Sequence, residues 1–200
     1  RNINLKLVPK HKLNRLTRKN HQGEIGLASI IVFQNFDNLL SGVFDKGVFP
    51  LFMLLDRITD VRNFGSICRS AEAMGVHGII IPKKESAQIN DIAIKASAGA
   101  IININICRED NLESIVKRAK ASGLSVVACS EKSKQNINQI NLKKPLLMII
   151  GSENNGISDK LIKLSDAVGK IPILGKTKSL NASVAAGIIL FEYNRQQNTN

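Results

Sequence analysis

Leu51-Phe-Met-Leu-Leu55-Asp-Arg-Ile-Thr-Asp-Val-Arg-Asn63-Phe-Gly65-Ser-Ile-Cys-Arg69-Ser-Ala-Glu-Ala-Met74-Gly-Val-His77-Gly-Ile-Ile-Ile81 reads as strand, helix and strand. Leu51–Leu55 is a short unbroken apolar run, the mark of a strand covered on both faces. Asn63–Met74 sets Phe64, Ile67, Ala71 and Met74 on one stripe at helical spacing. Gly78–Ile81 is a second apolar run. Two such runs bracketing a helix are the unit of a parallel sheet.

The pattern continues outward. Asp91–Ala98 reads as a helix, Ile101–Ile106 as a strand, Leu112–Ala121 as a helix and Leu124–Cys129 as a strand. Leu146–Ile150 is another strand, Asp159–Leu164 a helix, Val168–Ile173 a strand, and a helix runs from Ser179. On the other side, residues 25–34 read as a strand and Phe36–Phe44 as a short helix. The expected class is α/β, a mainly parallel sheet with helices on both faces. Residues 130–144 read as a mobile polar connection.

Of the 200 residues 44% are hydrophobic, enough for a real core, but only 4% are aromatic, so that core is aliphatic. Lys and Arg number 28 against 16 Asp and Glu, and the resulting +12 suits a polyanionic partner or serves solubility alone. Residues 1–20 carry Arg1, Lys6, Lys10, Lys12, Arg15, Arg18 and Lys19 and no acid. They are a solvated tail or a contact surface for phosphates. Cys68, Cys107 and Cys129 have no paired spacing, which argues against disulfides and a zinc site and for a reducing cytoplasm. No charge-free apolar run approaches ~18 residues, so no membrane span is expected.

Open α/β sheets bind ligands beyond the carboxyl ends of their strands. After Leu55, Asn63 sits where a helix cap would sit. Arg69 lies roughly opposite the buried stripe, either solvated or free to reach an anion. After Ile150, Gly151 and Gly156 let the backbone turn around Glu153. That acid is a loop carboxylate or an acceptor for free amides. After Ile171, a helix opens with Ser179, Asn181 and Ser183, and its small residues Ala185, Ala186 and Gly187 suggest burial on most sides. Gly-x-Gly-x-x-Gly, a Walker lysine loop and Gly-x-Ser-x-Gly are missing from the sequence, which disfavours dinucleotide binding and nucleophilic hydrolysis. His11 and the other two histidines are isolated. His77 reads as structural, and His21-Gln22-Gly23 as a turn.

Asn63-Phe-Gly65-x-x-x-Arg69, Gly151-x-Glu153-x-x-Gly156 and Ile171-Pro172…Ser179-Leu180-Asn181-x-Ser183-x-Ala185 resemble, in order, the three motifs of the SpoU (TrmH) branch of the SPOUT RNA methyltransferases. The resemblance covers most of residues 50–195. His21-Gln22-Gly23, Gly75-Val76-His77 with Pro82-Lys83, Ser86-Ala87-Gln88 and Ser97-Ala98-Gly99-Ala100 are similar to RlmB-type enzymes. Those methylate the ribose 2′-oxygen of a guanosine in 23S rRNA. The tRNA-modifying members share the three motifs, so tRNA stays open.

The resemblance implies a C-terminal deep trefoil knot, S-adenosyl-L-methionine (AdoMet) as cofactor with no metal, RNA as substrate and a homodimer. It implies that residues 1–22 are the linker or remnant of an N-terminal RNA-binding domain, and 23–200 the catalytic domain. By position it puts Gly151, Ile171 and Leu180 at the cofactor. Arg69 is then the base, or a group that binds a neighbouring phosphate and stabilises the alkoxide. Asn63 orients the hydroxyl or Arg69, Glu153 holds Arg69 or Asn181, and Ser179 and Asn181 shape the pocket where ribose meets cofactor. A non-catalytic RNA-binding module is the rival from another class.

Overall fold

The computed structural model describes residues 5–26 and 31–198. In chain order these form α1 (Lys10–Leu16), α2 (Phe36–Phe44), β1 (Leu51–Asp56), α3 (Val61–Ala73), β2 (Gly78–Pro82), α4 (Asp91–Ala96) and β3 (Ile106–Glu109). There follow α5 (Leu112–Ala121), β4 (Ser125–Cys129), β5 (Leu146–Gly151), α6 (Asp159–Leu164), β6 (Ala167–Gly169) and α7 (Ala182–Asn198). The strands make one parallel sheet in the order β3-β2-β1-β5-β4-β6. This is the expected α/β class.

The apolar strands are buried on both faces because successive side chains alternate between two cores. Leu51, Met53 and Leu55 pack with Phe64 and Ile67 of α3 and with Ala186, Ile189 and Leu190 of α7. Phe52 and Leu54 pack with Phe36 and Leu40 of α2, Ile115 of α5 and Leu161 of α6. Short polar caps start the helices: Asn35, Asp60, Asn90 and Asn111 each accept a backbone N–H from the first turn.

Several expectations need correction. Asp60, not Asn63, caps α3, and its carboxylate accepts the Asn63 N–H at 2.7 Å. Residues 101–106 are not one strand. Ala100–Ile102 forms a 3-10 turn that buries Ile101, and the strand begins only at Ile106. The run Val168–Ile173 leaves the sheet after Gly169. Lys170 turns instead to pair with Gln135 and Ile137.

That pairing also overturns the mobile connection at 130–144. Ile137, Ile140 and Leu142 are buried, and Gln196 and Gln197 of α7 hydrogen-bond the backbone of Ile140 and Leu142. Of the strand expected at 25–34, residues 27–30 lie outside the described residues, and Gln34 makes an isolated parallel bridge to Cys107. Within the basic arm, α1 buries no residue. The terminal helix starts at Ala182, so Ser179 lies in the preceding loop. The helix also leaves Val184, Ile188 and Phe191 exposed, in contrast to the burial expected on most sides.

Candidate active site

β1 and β5 are adjacent, and the order of the strands reverses direction between them. Crevices at such switch points are where α/β sheets bind ligands. Asp56 and Gly151 are register partners at the ends of the two strands. The loops carrying the first and second sequence motifs therefore leave the sheet side by side.

The loop after β5 folds back tightly. A Cβ on Gly151 would stand 2.2 Å from the Gly156 carbonyl carbon and 2.4 Å from the Ile157 nitrogen. Only glycine allows that approach. Ser152 and Gly156 close the turn, with the Gly156 N–H donating to the Ser152 carbonyl at 2.8 Å. Gly65 serves a similar end in α3, where a Cβ would meet the Ala93 carbonyl oxygen at 2.6 Å. Its absence lets α4 pack directly on the helix that carries Asn63 and Arg69.

Glu153 reaches out of this turn and gathers the other motifs. Its Oε1 accepts from Asn63 Nδ2 at 3.1 Å, from Asn181 Nδ2 and from the Ala182 N–H at 3.0 Å. Asn181 Nδ2 also donates to Asn63 Oδ1 at 2.9 Å. The Asn181 side-chain oxygen accepts the Ser183 and Val184 N–H groups and the Ser183 hydroxyl, which caps α7. Glu153 thus holds Asn181 and Asn63, and not Arg69. Arg69 is exposed on α3, and no described residue hydrogen-bonds or ion-pairs with its side chain.

Beside this Glu153 hub lies a pocket lined by Ile150, Gly151 and Gly156 together with Ile171, Ile173, Leu180, Ala182 and Ile189. Glu153 and Ser179 stand in its lining too, so Gly151, Glu153, Ile171, Ser179 and Leu180 come together as one cavity. Among the lining residues that the sequence reading missed are Cys129, Ser130 and Glu131. Their signal was available, because they follow the strand beside β5. Burial pushes the Cys129 thiol up to about 12, which disfavours the thiolate. Among the described residues no group of His, Cys, Asp and Glu could hold a metal ion, and no helix is long and apolar enough to cross a membrane.

The model of the SpoU rRNA methylase family matches residues 50–191, the span that holds all three loops. The chain belongs to the SpoU methylase family. YacO of Bacillus subtilis, named as a TrmH family tRNA/rRNA methyltransferase, is 35% identical over 98% of this chain and 79% of its own length. The SpoU methyltransferase AviRb of Streptomyces viridochromogenes, solved in complex with AdoMet, is 32% identical. It superposes with a TM-score of 0.69 over 76% of this chain and 59% of its own. An AdoMet-bound rRNA methyltransferase of Sinorhizobium meliloti is 31% identical, with a TM-score of 0.70 over 77% of this chain and 60% of its own. The SpoU chain described here thus spans about three fifths of these two solved proteins.

Proposed function

We propose that the chain transfers a methyl group from AdoMet to a ribose 2′-hydroxyl of RNA, with a guanosine of 23S rRNA as the target. The observation that carries this reading is the hub at Glu153. It fastens Asn63 and Asn181 to the rim of a pocket that a purely RNA-binding surface would not need.

The chemistry of the pocket lining suits AdoMet. The lining combines aliphatic side chains with the glycines Gly151 and Gly156, and Glu131 and Glu153 supply negative charge for a cationic ligand. Gly151, Ile171 and Leu180 would hold it. Bound there, AdoMet supplies a methyl group on a positively charged sulfur, ready for in-line attack by an oxygen.

The side chains at the rim do the rest. Asn63 and Asn181, locked by Glu153, orient the incoming hydroxyl, and Ser179 shapes the edge of the pocket. Holding two reactants in line contributes up to about 7–11 kcal/mol in well-aligned systems. A guanidinium keeps its proton, so Arg69 acts as a fixed positive charge. It binds a phosphate beside the target ribose and stabilises the alkoxide as the hydroxyl proton leaves to water.

The apolar stripe Val184, Ile188 and Phe191 on α7 supports a homodimer. The residues recur at positions i, i+4 and i+7 and are 50%, 38% and 62% exposed. Ser70, next to Arg69, faces α7 at Gly187, beside this stripe. A second copy there would flank the catalytic arginine. The trefoil knot of the family is supported by the same region. Lys170 pairs with residues 135–137, and α7 returns to bond residues 140–142, so loop 130–145 is gripped by chain on both sides. The cationic segment 1–22 is assigned to RNA contact, as linker to an RNA-binding domain, and the cytoplasm is the compartment.

The test is methyl transfer from radiolabelled AdoMet to unmodified 23S rRNA and to bulk tRNA, followed by ribose-methylation mapping. A single new mark on a 23S guanosine is the expected result. A mark on tRNA alone would move the substrate to the tRNA branch, and no AdoMet binding by calorimetry would leave only the RNA-binding module.

A further inference from the structure

Asp56 and Arg57 lie outside all three motifs, yet they fasten the loop after β5 from beneath. Asp56 is 4% exposed at the end of β1. Its Oδ2 accepts the Ser158 N–H at 2.7 Å, and its backbone carbonyl accepts the Ser152 N–H at 3.1 Å. Arg57 grips the same carboxylate with two donors, Nε to Oδ1 and Nη2 to Oδ2, each at 3.1 Å. Nη2 also donates to the Gly156 carbonyl at 3.2 Å, across 99 residues of chain. Gly156 lines the pocket, and Glu153 stands in the same turn.

Arg57 makes these bonds from a left-handed backbone, with φ of 58°. A side chain held there is strained, whereas glycine is not. Strain of this kind persists where the side chain has a task. The planar fork of a guanidinium can span a carboxylate and a carbonyl together, which an ammonium cannot do.

We propose that Arg57 is a positioning residue for the cofactor, clipping Gly156 and the whole 151–158 turn to the end of β1. Arg57 touches neither substrate nor cofactor in this scheme. It acts by fixing the wall against which AdoMet lies, and so rests on the assignment of AdoMet to this pocket.

Two variants test it. Asp56→Asn with Arg57→Gly removes the ion pair without stranding a buried charge and relieves the backbone. Arg57→Lys keeps the cation but loses the fork. AdoMet affinity is read by calorimetry, KM and kcat with saturating RNA, and folding by thermal unfolding. The double variant is expected to melt within a few degrees of the wild type. Its Kd and KM for AdoMet should rise at least tenfold, with kcat at saturating AdoMet changed by less. Arg57→Lys should raise both constants several-fold. Lowered melting with unchanged Kd in both variants would reduce the pair to a structural brace and overturn the proposal. A wild-type chain that binds no AdoMet would overturn the pocket assignment itself, and the clip with it.

Discussion

Glu153 and Asn181 share a hydrogen bond that joins the turn after β5 to the cap of the last helix. The carboxylate takes two more donors, Asn63 Nδ2 and the Ala182 N–H, so one oxygen ties three distant segments together. This makes Glu153 the residue on which the arrangement of the site turns.

Replacing Glu153 with Ala leaves those three donors without their acceptor. They are near the surface and water can serve them, so the stability loss should be modest, about 1 kcal/mol. The catalytic loss should be larger, about a hundredfold in kcat, because Asn63 and Asn181 lose their fixed orientation. Chemical denaturation and single-turnover methylation measured on the same sample separate the two effects.

Arg69→Ala should behave differently. The Arg69 side chain has no partner among the described residues, so its loss should leave the unfolding midpoint within error. Methyl transfer should fall by about 10²–10³ while AdoMet binding persists. Wild-type turnover by this variant would remove Arg69 from the mechanism.

Gly151→Ala places a methyl group where backbone already lies, at 2.2 Å from the Gly156 carbonyl carbon. The turn must open to admit it. The expected cost is about 3 kcal/mol of stability, with AdoMet binding lost even where the chain still folds. Urea denaturation and calorimetry would show both, and a fully stable, AdoMet-binding variant would contradict the tight turn.

His77 sets a pH dependence. Its Nδ1 accepts the Leu51 N–H at 3.0 Å, which requires a neutral ring. Burial holds its pKa below the ordinary 6.5. Between the folded value and 6.5 the unfolded chain binds the proton and the folded chain does not, so stability is full above pH 6.5 and declines as pH falls through that window. The urea midpoint should drop between pH 7 and pH 5.5. His77→Gln should be less stable at pH 7 and lose most of that slope.

Phe191→Asp introduces a charge into the apolar stripe of α7. Sedimentation should show the proposed homodimer of the wild type replaced by a monomer, with little change in the melting of the single chain. An unchanged sedimentation coefficient would mean that the stripe is not the contact.

Most of the sheet was legible because its strands are unbroken aliphatic runs, and α2, α5 and α6 lie where spacing predicts them. Two apolar runs misled for different reasons. Ile101 and Ile104 are buried from a turn, where apolar content is the same as in a strand. Ile171 and Ile173 are apolar because they line a pocket and not because they join the sheet.

The site was legible in its members and not in its joints. Polar residues after strand ends stood out in the sequence, but Asn63 and Asn181 meet across 118 residues. No local pattern encodes that meeting. Asp56 and Arg57 were passed over for the same reason, since an acid followed by an arginine looks like surface until the loop above it is seen.

The cavity closes only when the segment at 171–182 and the helix behind it have docked. A chain still emerging from the ribosome can own its central strands and yet have nowhere to place a ligand. The cavity would therefore become able to hold a ligand only as α7 seats. Ligand binding would then double as a probe of that final folding event.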